Sequence, residues 1–422
     1  MPYISKSNNL LKTMSLWVTI SYVVSIFISP KILLGNISFY PFELIFLVIS
    51  VLLFLNDKIK FSSNIEKIYI LFFLLTVFTI FEGAFFNNQF YFLPLLHALK
   101  FFLIFMVFPM ARYISGDVRA GIFLGVILTH LIFIILYTLY VLYNMYFLPL
   151  PLEQLVWEYH TSHRVVGFTG KAIGIDGLQD IGNTSVQMGV HTAFLSLISL
   201  SLFVRFKNFF YCLILMFMIV ATLLTYSRSG LIVLFLGYLY FCIDQLRKRK
   251  FFALFVLILI LFLILETSYM NAFGTLGKVS ISSGFQDKSS FDRFKYISWA
   301  VKYLIDHPWA FLTGTGFGEE YTQNLIGTPH LESLMLTTLF QSGFLAFIAL
   351  IVFLYYIFKA SLKYGNLYHG NLYNAIMYAI KLYIPGLILA NLVGGNSLQT
   401  DFMAPFFYFM LGIGILHCKK VI

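Results

Sequence analysis

The sequence predicts an all-α integral membrane protein of about twelve transmembrane helices with a small external helical cap. Three observations predict it. Of the 422 residues, 60% are hydrophobic and only 11% are charged, and the mean hydropathy is +0.87. Many apolar runs are long enough for a bilayer, which a helix crosses with roughly 20 such residues. No stretch shows the alternation over about ten residues that marks a strand of a membrane barrel.

Hydropathy and chain breakers place the spans near 13–29, 37–55, 68–86, 92–111, 121–143, 186–204, 208–226, 229–245, 251–267, 333–358, 372–393 and 402–417. The first run is followed by "SPKILLGN", which lacks a small-x-small cleavage pattern, so it reads as a retained span. Gly343 interrupts the tenth, which makes its start a tilted or re-entrant piece. No internal repeat, linker or low-complexity stretch divides the chain. Residues 1–422 form a single polytopic domain, with external loops near 144–185 and 268–332.

The formal net charge is +10. In so apolar a chain this reflects basic cytoplasmic loops rather than nucleic-acid binding. With twelve spans, the even-numbered connections and both termini share a side, and that side holds 17 of the 28 basic residues, including the run 247–250. Lysine and arginine accumulate in cytoplasmic loops, so both termini are expected in the cytoplasm. Cys212, Cys242 and Cys418 lie in or beside spans, which argues against disulfides and thiolate metal sites.

The outer side has two long connections. The first carries Trp157, Tyr159, His160 and His163; the second carries "FDRFKYISWAVKYLIDHPWAF", helical in period and stopped at Pro308. That segment is expected to be an amphipathic helix on the outer surface. The only arginines on this side are Arg164, Arg228 and Arg293, each in a different connection. Arg228 stands in "TYSRSGL" between two apolar runs, with few polar neighbours to lift it into water. An arginine near membrane depth is costly, so an anion should meet it. A lone arginine can also snorkel to headgroups or pair with an acid such as Asp401 or Glu320. Three converging guanidinium groups, permanently charged and bidentate toward phosphate oxygens, would suit a pyrophosphate.

Gly314, Gly316 and Gly318 in "GTGFG" either form a plain turn or offer backbone amides to an anion. No buried strand precedes them, so a dinucleotide fold is excluded. His330 follows Pro329 just before the tenth span; its imidazole can take a proton near neutral pH. Glu319, Glu320 and Glu332 are rival bases. Charges within spans (Glu43, Lys100, Lys381) and the histidines His97 and His130 would be the working groups of a transporter. His97 and Lys100 share a helical face and can pair with Glu43 or Glu82, while Lys381 faces either a lipid groove or an internal acid.

The order Arg164 with "GFTG", Asn183, "YSRSG" opening a span, "R…W…HP…GTGFG", a loop histidine and "QSGF" resembles the O-antigen polymerase and O-antigen ligase superfamily of bacterial envelope glycosyltransferases. The motifs cover roughly residues 160–350. Members often carry asparagine after the histidine, where this chain has "PHLES". The resemblance implies a GT-C-like multi-span glycosyltransferase without cofactor or metal. Its donor and acceptor would be undecaprenyl-pyrophosphate-linked oligosaccharides in the inner membrane. Arg164, Arg228 and Arg293 would bind the pyrophosphate and His330 would activate the acceptor hydroxyl at a periplasmic site. A polymerase of repeat units, with a chain-length regulator as a partner protein, is the leading expectation. A ligase onto lipid A core is the first alternative, and a lipid-linked oligosaccharide flippase the second. No D-x-D occurs, and "SPKILLGN" has no acid to hold a divalent cation, which favours metal-free chemistry.

Overall fold

The computed structural model describes residues 2–28, 31–34, 37–149, 163–166, 171–174, 177–180, 185–246, 288–327, 331, 333–365, 371–393 and 403–419. In chain order these form α1 (Pro2–Ile28), β1 (Lys31–Leu34), β2 (Ile37–Phe39), α2 (Pro41–Leu55), α3 (Asn64–Asn87), α4 (Phe92–Ile114) and α5 (Ala120–Phe147). Then come β3 (Lys171–Gly174), β4 (Gly177–Asp180), α6 (Ser185–Phe206), α7 (Phe209–Leu224) and α8 (Arg228–Leu246). The last are α9 (Lys288–Asp306), α10 (Pro308–Thr313), α11 (Glu319–Ile326), α12 (Leu334–Tyr364), α13 (Leu372–Val393) and α14 (Ala404–Lys419).

The helices are apolar on more than one face. On α2, Phe46, Ile49 and Leu53 are buried, whereas Leu44, Ile45, Leu47 and Val48 on the remaining faces stay exposed. A helix apolar all round belongs in a membrane or a large core. By length and composition α3, α4, α5, α6, α8, α12 and α13 can each cross a bilayer; the apolar stretches Leu10–Ile26, Pro41–Leu55, Phe209–Leu224 and Ala404–Cys418 are shorter. Seven helices are thus long and apolar enough to span, and described helices overlap each expected span except 251–267, which lies outside the described residues. At the centre stand α6 and α13, with 83% and 72% of their apolar windows enclosed, against 33% for α3. Helix α6 packs on α7, α8 and α13, and α13 also packs on α12 and α14.

One feature departs from the all-α expectation. The short strands form a four-stranded sheet in the order β2-β1-β3-β4. Antiparallel hairpins β1–β2 and β3–β4 are joined by a parallel pair, Lys31 opposite Ala172 and Ile32 opposite Ile173. The sheet thus ties the connection before α2 to the connection before α6.

Polar contacts between connections sort into two ends of the bundle. At one end Arg112 pairs with the buried Glu66, which also closes the capping box of α3 with Ser63. The same end has Lys12 2.9 Å from Asp117, His417 Nε2 2.9 Å from the Ser115 carbonyl, and the Tyr373 hydroxyl donating to the Val118 carbonyl at 3.2 Å. At the other end lie the sheet, the α7–α8 turn and the cap of α9, α10 and α11. The cap has its own small core of Ala300, Leu304, Ala310, Ile326, Leu331 and Phe340. Helix α9 is the expected amphipathic helix, and it ends two residues before Pro308.

Gly343 docks this cap. Its φ of 77° and ψ of 177° break α12, so the carbonyls of Phe340 and Gln341 lose their helical partners. The glycine loop replaces them: the Thr315 amide donates to the Phe340 carbonyl at 2.9 Å and the Gly316 amide to Gln341 at 3.1 Å. Gln341 answers by donating to Gly318 O at 3.2 Å and Thr322 Oγ1 at 2.7 Å. Gly314 (φ 95°) and Gly316 (φ 110°) need the left-handed region open to glycine, and a Cβ at Gly316 would sit 2.7 Å from Gly83 Cα of α3. The "GTGFG" motif is therefore a clamp, with the Thr315 and Gly316 amides engaged inside the fold.

Candidate functional site

The site builds from the turn that joins α7 to α8. Three residues, Thr225 to Ser227, reverse the chain, and Tyr226 takes a left-handed φ of 54°. Ser227 starts α8: its carbonyl accepts from the Leu231 amide at 3.1 Å and its hydroxyl from the Gly230 amide at 3.1 Å. That is the side-chain cap bond expected at a helix N-terminus. In "SRSG", Ser227 is the cap, Arg228 the first helical residue and Gly230 the point of closest approach. A Cβ on Gly230 would lie 2.6 Å from the carbonyl carbon of Gly189 in α6.

Arg228 therefore stands at the positive end of a helix dipole, where a cation is disfavoured by about 0.3–1 kcal/mol. Arg164 adds a second cation to the same turn. It is only 6% exposed, its Nη2 donates to the Thr225 carbonyl at 3.0 Å, and its guanidinium carbon lies 5.4 Å from the Tyr226 ring centroid. Val165 fixes the backbone beside it, donating to the Leu224 carbonyl at 3.1 Å. Burial pushes the Tyr226 phenol above its ordinary range, and the neighbouring Arg164 charge partly offsets that. Tyr226 so remains a neutral wall beside the guanidinium. Two of the expected arginines are thus joined through one turn.

Of the other two candidates, only Arg293 lies among the described residues. His330 lies outside the described residues. Leu331 beside it is buried in the cap core, and three residues on, the Ser333 hydroxyl donates to the Asn391 carbonyl at 3.2 Å. Helices α8 and α13 run antiparallel: Tyr378 meets Gln245 at 3.3 Å, and a Cβ on Gly386 would touch Val233. This register carries Asn391 to the end where α8 begins with Arg228. Arg293 belongs to α9, which packs against α10, α11 and α12 in the cap at that end. Arg164, Arg228 and the helix that carries Arg293 therefore lie at one end of the bundle.

Lys381 is resolved differently. Its Nζ lies 3.3 Å from Asp244 Oδ1, and the Tyr378 hydroxyl donates to Asp244 Oδ2 at 2.7 Å. The internal acid is its partner, at the far end of α8 from Arg228. Glu43, His97 and Lys100 line one apolar cavity of about 440 Å³ between α2 and α4; Glu82 does not line it. No local motif marks His191, whose Nε2 lies 3.3 Å from His130 Nδ1 within the core. Only spacing across two helices reveals that pair. Among the described residues no three His, Cys, Asp or Glu side chains cluster as metal ligands.

A bundle of long apolar helices with a docked cap and an arginine-bearing helix start at one end defines the class, a helical protein of membrane type. Within that class, residues 213–351 match the family model described as Wzy_C, O-antigen ligase. The matched stretch spans α7 to the middle of α12 and includes Arg228, Arg293 and His330 but not Arg164. It covers about a third of the chain. The resemblance carried by "YSRSG", "GTGFG" and "QSGF" falls within it. No curated protein matches the chain.

Proposed function

We propose that this chain is a polysaccharide polymerase that joins undecaprenyl-pyrophosphate-linked oligosaccharide repeat units at the periplasmic face of the bacterial inner membrane. The observation that carries it is the α7–α8 turn, where Arg164 is held on the Thr225 carbonyl and Arg228 opens α8. Two guanidinium groups beside a helix N-terminus suit an anion with two phosphates. Arg293 completes the set from the cap.

The reaction is a single displacement. The acceptor hydroxyl oxygen bonds to the anomeric carbon of the donor sugar, and the bond from that carbon to the diphosphate oxygen breaks with its electron pair. The hydroxyl proton passes to His330. Fixed arginines stabilise the charge that gathers on the leaving diphosphate, most strongly where water is sparse. The anomeric centre inverts. A GT-C-like arrangement of twelve spans with both termini cytoplasmic fits this scheme. A ligase acting on lipid A core is the second reading, favoured by the description of the matched family model.

Purified protein given lipid-linked repeat units alone is the test: a ladder of longer glycans supports the polymerase, and products formed only on added lipid A core support the ligase. His330→Ala is expected to lower turnover by about 10²–10⁴-fold, the usual worth of a general base, while donor binding changes little. Single-turnover rates beside donor titrations check this; an active His330→Ala with an inactive Glu320→Ala or Glu332→Ala would move the base to a carboxylate. EDTA is expected to leave the rate unchanged. A loss of turnover restored by a divalent cation would overturn the metal-free scheme.

A further inference from the structure

We infer that the open cleft between α9 and α11 is a saccharide subsite that holds sugar rings of a bound glycan against Trp299, Lys302 and Asp306. The inference rests on the glycan-transfer reading above and adds to it a place for the part of the substrate away from the diphosphate. The cleft has a volume of about 350 Å³ and is lined by Trp299, Lys302, Tyr303, Asp306, Leu325 and Ile326.

Helix α9 has three distinct faces. At roughly 100° per residue, Lys295, Trp299, Lys302 and Asp306 fall within a sector about 60° wide. Ala300 and Leu304 point the other way, into the cap core. Val301 (42% exposed) and Ile305 (71% exposed) form a third, apolar face. An interfacial helix needs only two faces, apolar and polar. Core packing explains the second sector and a membrane surface the third. Neither explains an indole and two opposite charges lining a cleft.

The chemistry of the lining selects the ligand. A pyranose ring offers a flat patch of C–H groups on one side and hydroxyls around its rim. Trp299 is 38% exposed and supplies a flat apolar surface. Lys295 Nζ, 4.5 Å from its ring centroid, and the Tyr296 ring, 5.8 Å away, hold that indole in place. The Asp306 carboxylate accepts from hydroxyls and the Lys302 ammonium donates to them. One positive and one negative group leave the cleft without net charge, which suits a neutral polyhydroxylated ligand better than a phosphate or an acidic peptide. The location agrees with a glycan leading from the diphosphate. Arg293 precedes Trp299 by six residues of α9, about 9 Å along the axis, and Ile326 precedes His330 by four.

Full-length protein in nanodiscs tests this, with the repeat-unit oligosaccharide freed from its lipid by mild acid as the probe. Wild type is expected to bind the probe saturably by saturation-transfer NMR. Trp299→Ala and Asp306→Asn should each weaken binding about tenfold, with Trp299→Phe recovering part of the loss. In chain extension the same variants should raise KM for lipid-linked units with little change in kcat. If wild type extends chains but Trp299→Ala binds the probe and extends with unaltered constants, the subsite is wrong and the polymerase reading stands. If wild type never extends lipid-linked units yet binds the probe in a Trp299-dependent way, the polymerase reading fails and the subsite stands. No probe binding by an actively extending wild type overturns the subsite.

Discussion

Arg228→Ala is expected to lower chain extension by about 10²–10³-fold, the usual effect of removing one preorganised group that stabilises developing charge. The protein should nevertheless insert and melt as wild type does, or slightly higher. The two effects have opposite signs for one reason. Arg228 is the first helical residue of α8, so its cation faces the positive end of the helix dipole and costs about 0.3–1 kcal/mol. Alanine removes that cost and is the best helix former. A guanidinium at a helix start adds its charge to amides that already favour an anion. Arg228→Lys should recover only part of the rate, because an ammonium keeps the charge without the planar fork that grips two phosphate oxygens. Glycan ladders and thermal melts on the same preparations check both signs. A melting temperature well below wild type would make Arg228 a structural residue, and a normal ladder would remove it from the site.

Much of this was legible in the sequence because membrane burial writes itself in local composition. Apolar runs bounded by "NDK", "SGD" and "KN" marked helices whose ends match those of α2, α4 and α6 within a few residues. The periodicity of "FDRFKYISWAVKYLID" marked α9, and "SRSG" marked the start of α8 with its arginine at the first turn. What escaped was non-local. Strands of three or four residues are invisible to a window the length of a span, and Lys31 pairs with Ala172, some 140 residues away. The three glycines of "GTGFG" read equally as an anion cradle or a turn. The break at Gly343, whose freed carbonyls claim the Thr315 and Gly316 amides, gives the motif a structural role that no local pattern shows. Likewise Lys381 could have faced a groove or an acid until Asp244 of a different helix was seen 3.3 Å away.

Gly230→Ala should separate the architecture of the site from its chemistry, because it alters no charged or titrating group. On propensity alone the change favours α8 by about 1 kcal/mol. Gly125→Ala in α5, where an added Cβ meets nothing within 4 Å, shows what that gain looks like unopposed: an unchanged or slightly higher melting temperature. At Gly230 the new methyl would lie 2.6–2.7 Å from the backbone of Gly189 in α6. Backbone cannot rotate away as a side chain can, so the start of α8 must back off, and overpacking of this kind costs about 1–3 kcal/mol. The displaced segment holds Arg228 and the Ser227 cap, and it abuts the Thr225 carbonyl that anchors Arg164. A shift of about 1 Å in such positioning groups can cost on the order of 10²-fold in rate. Gly230→Ala is therefore expected to lose most chain extension together with some thermal stability. Full activity and stability in Gly230→Ala, matching Gly125→Ala, would mean that α6 and α8 do not meet as closely as the turn requires, and that the two arginines are not held by this contact.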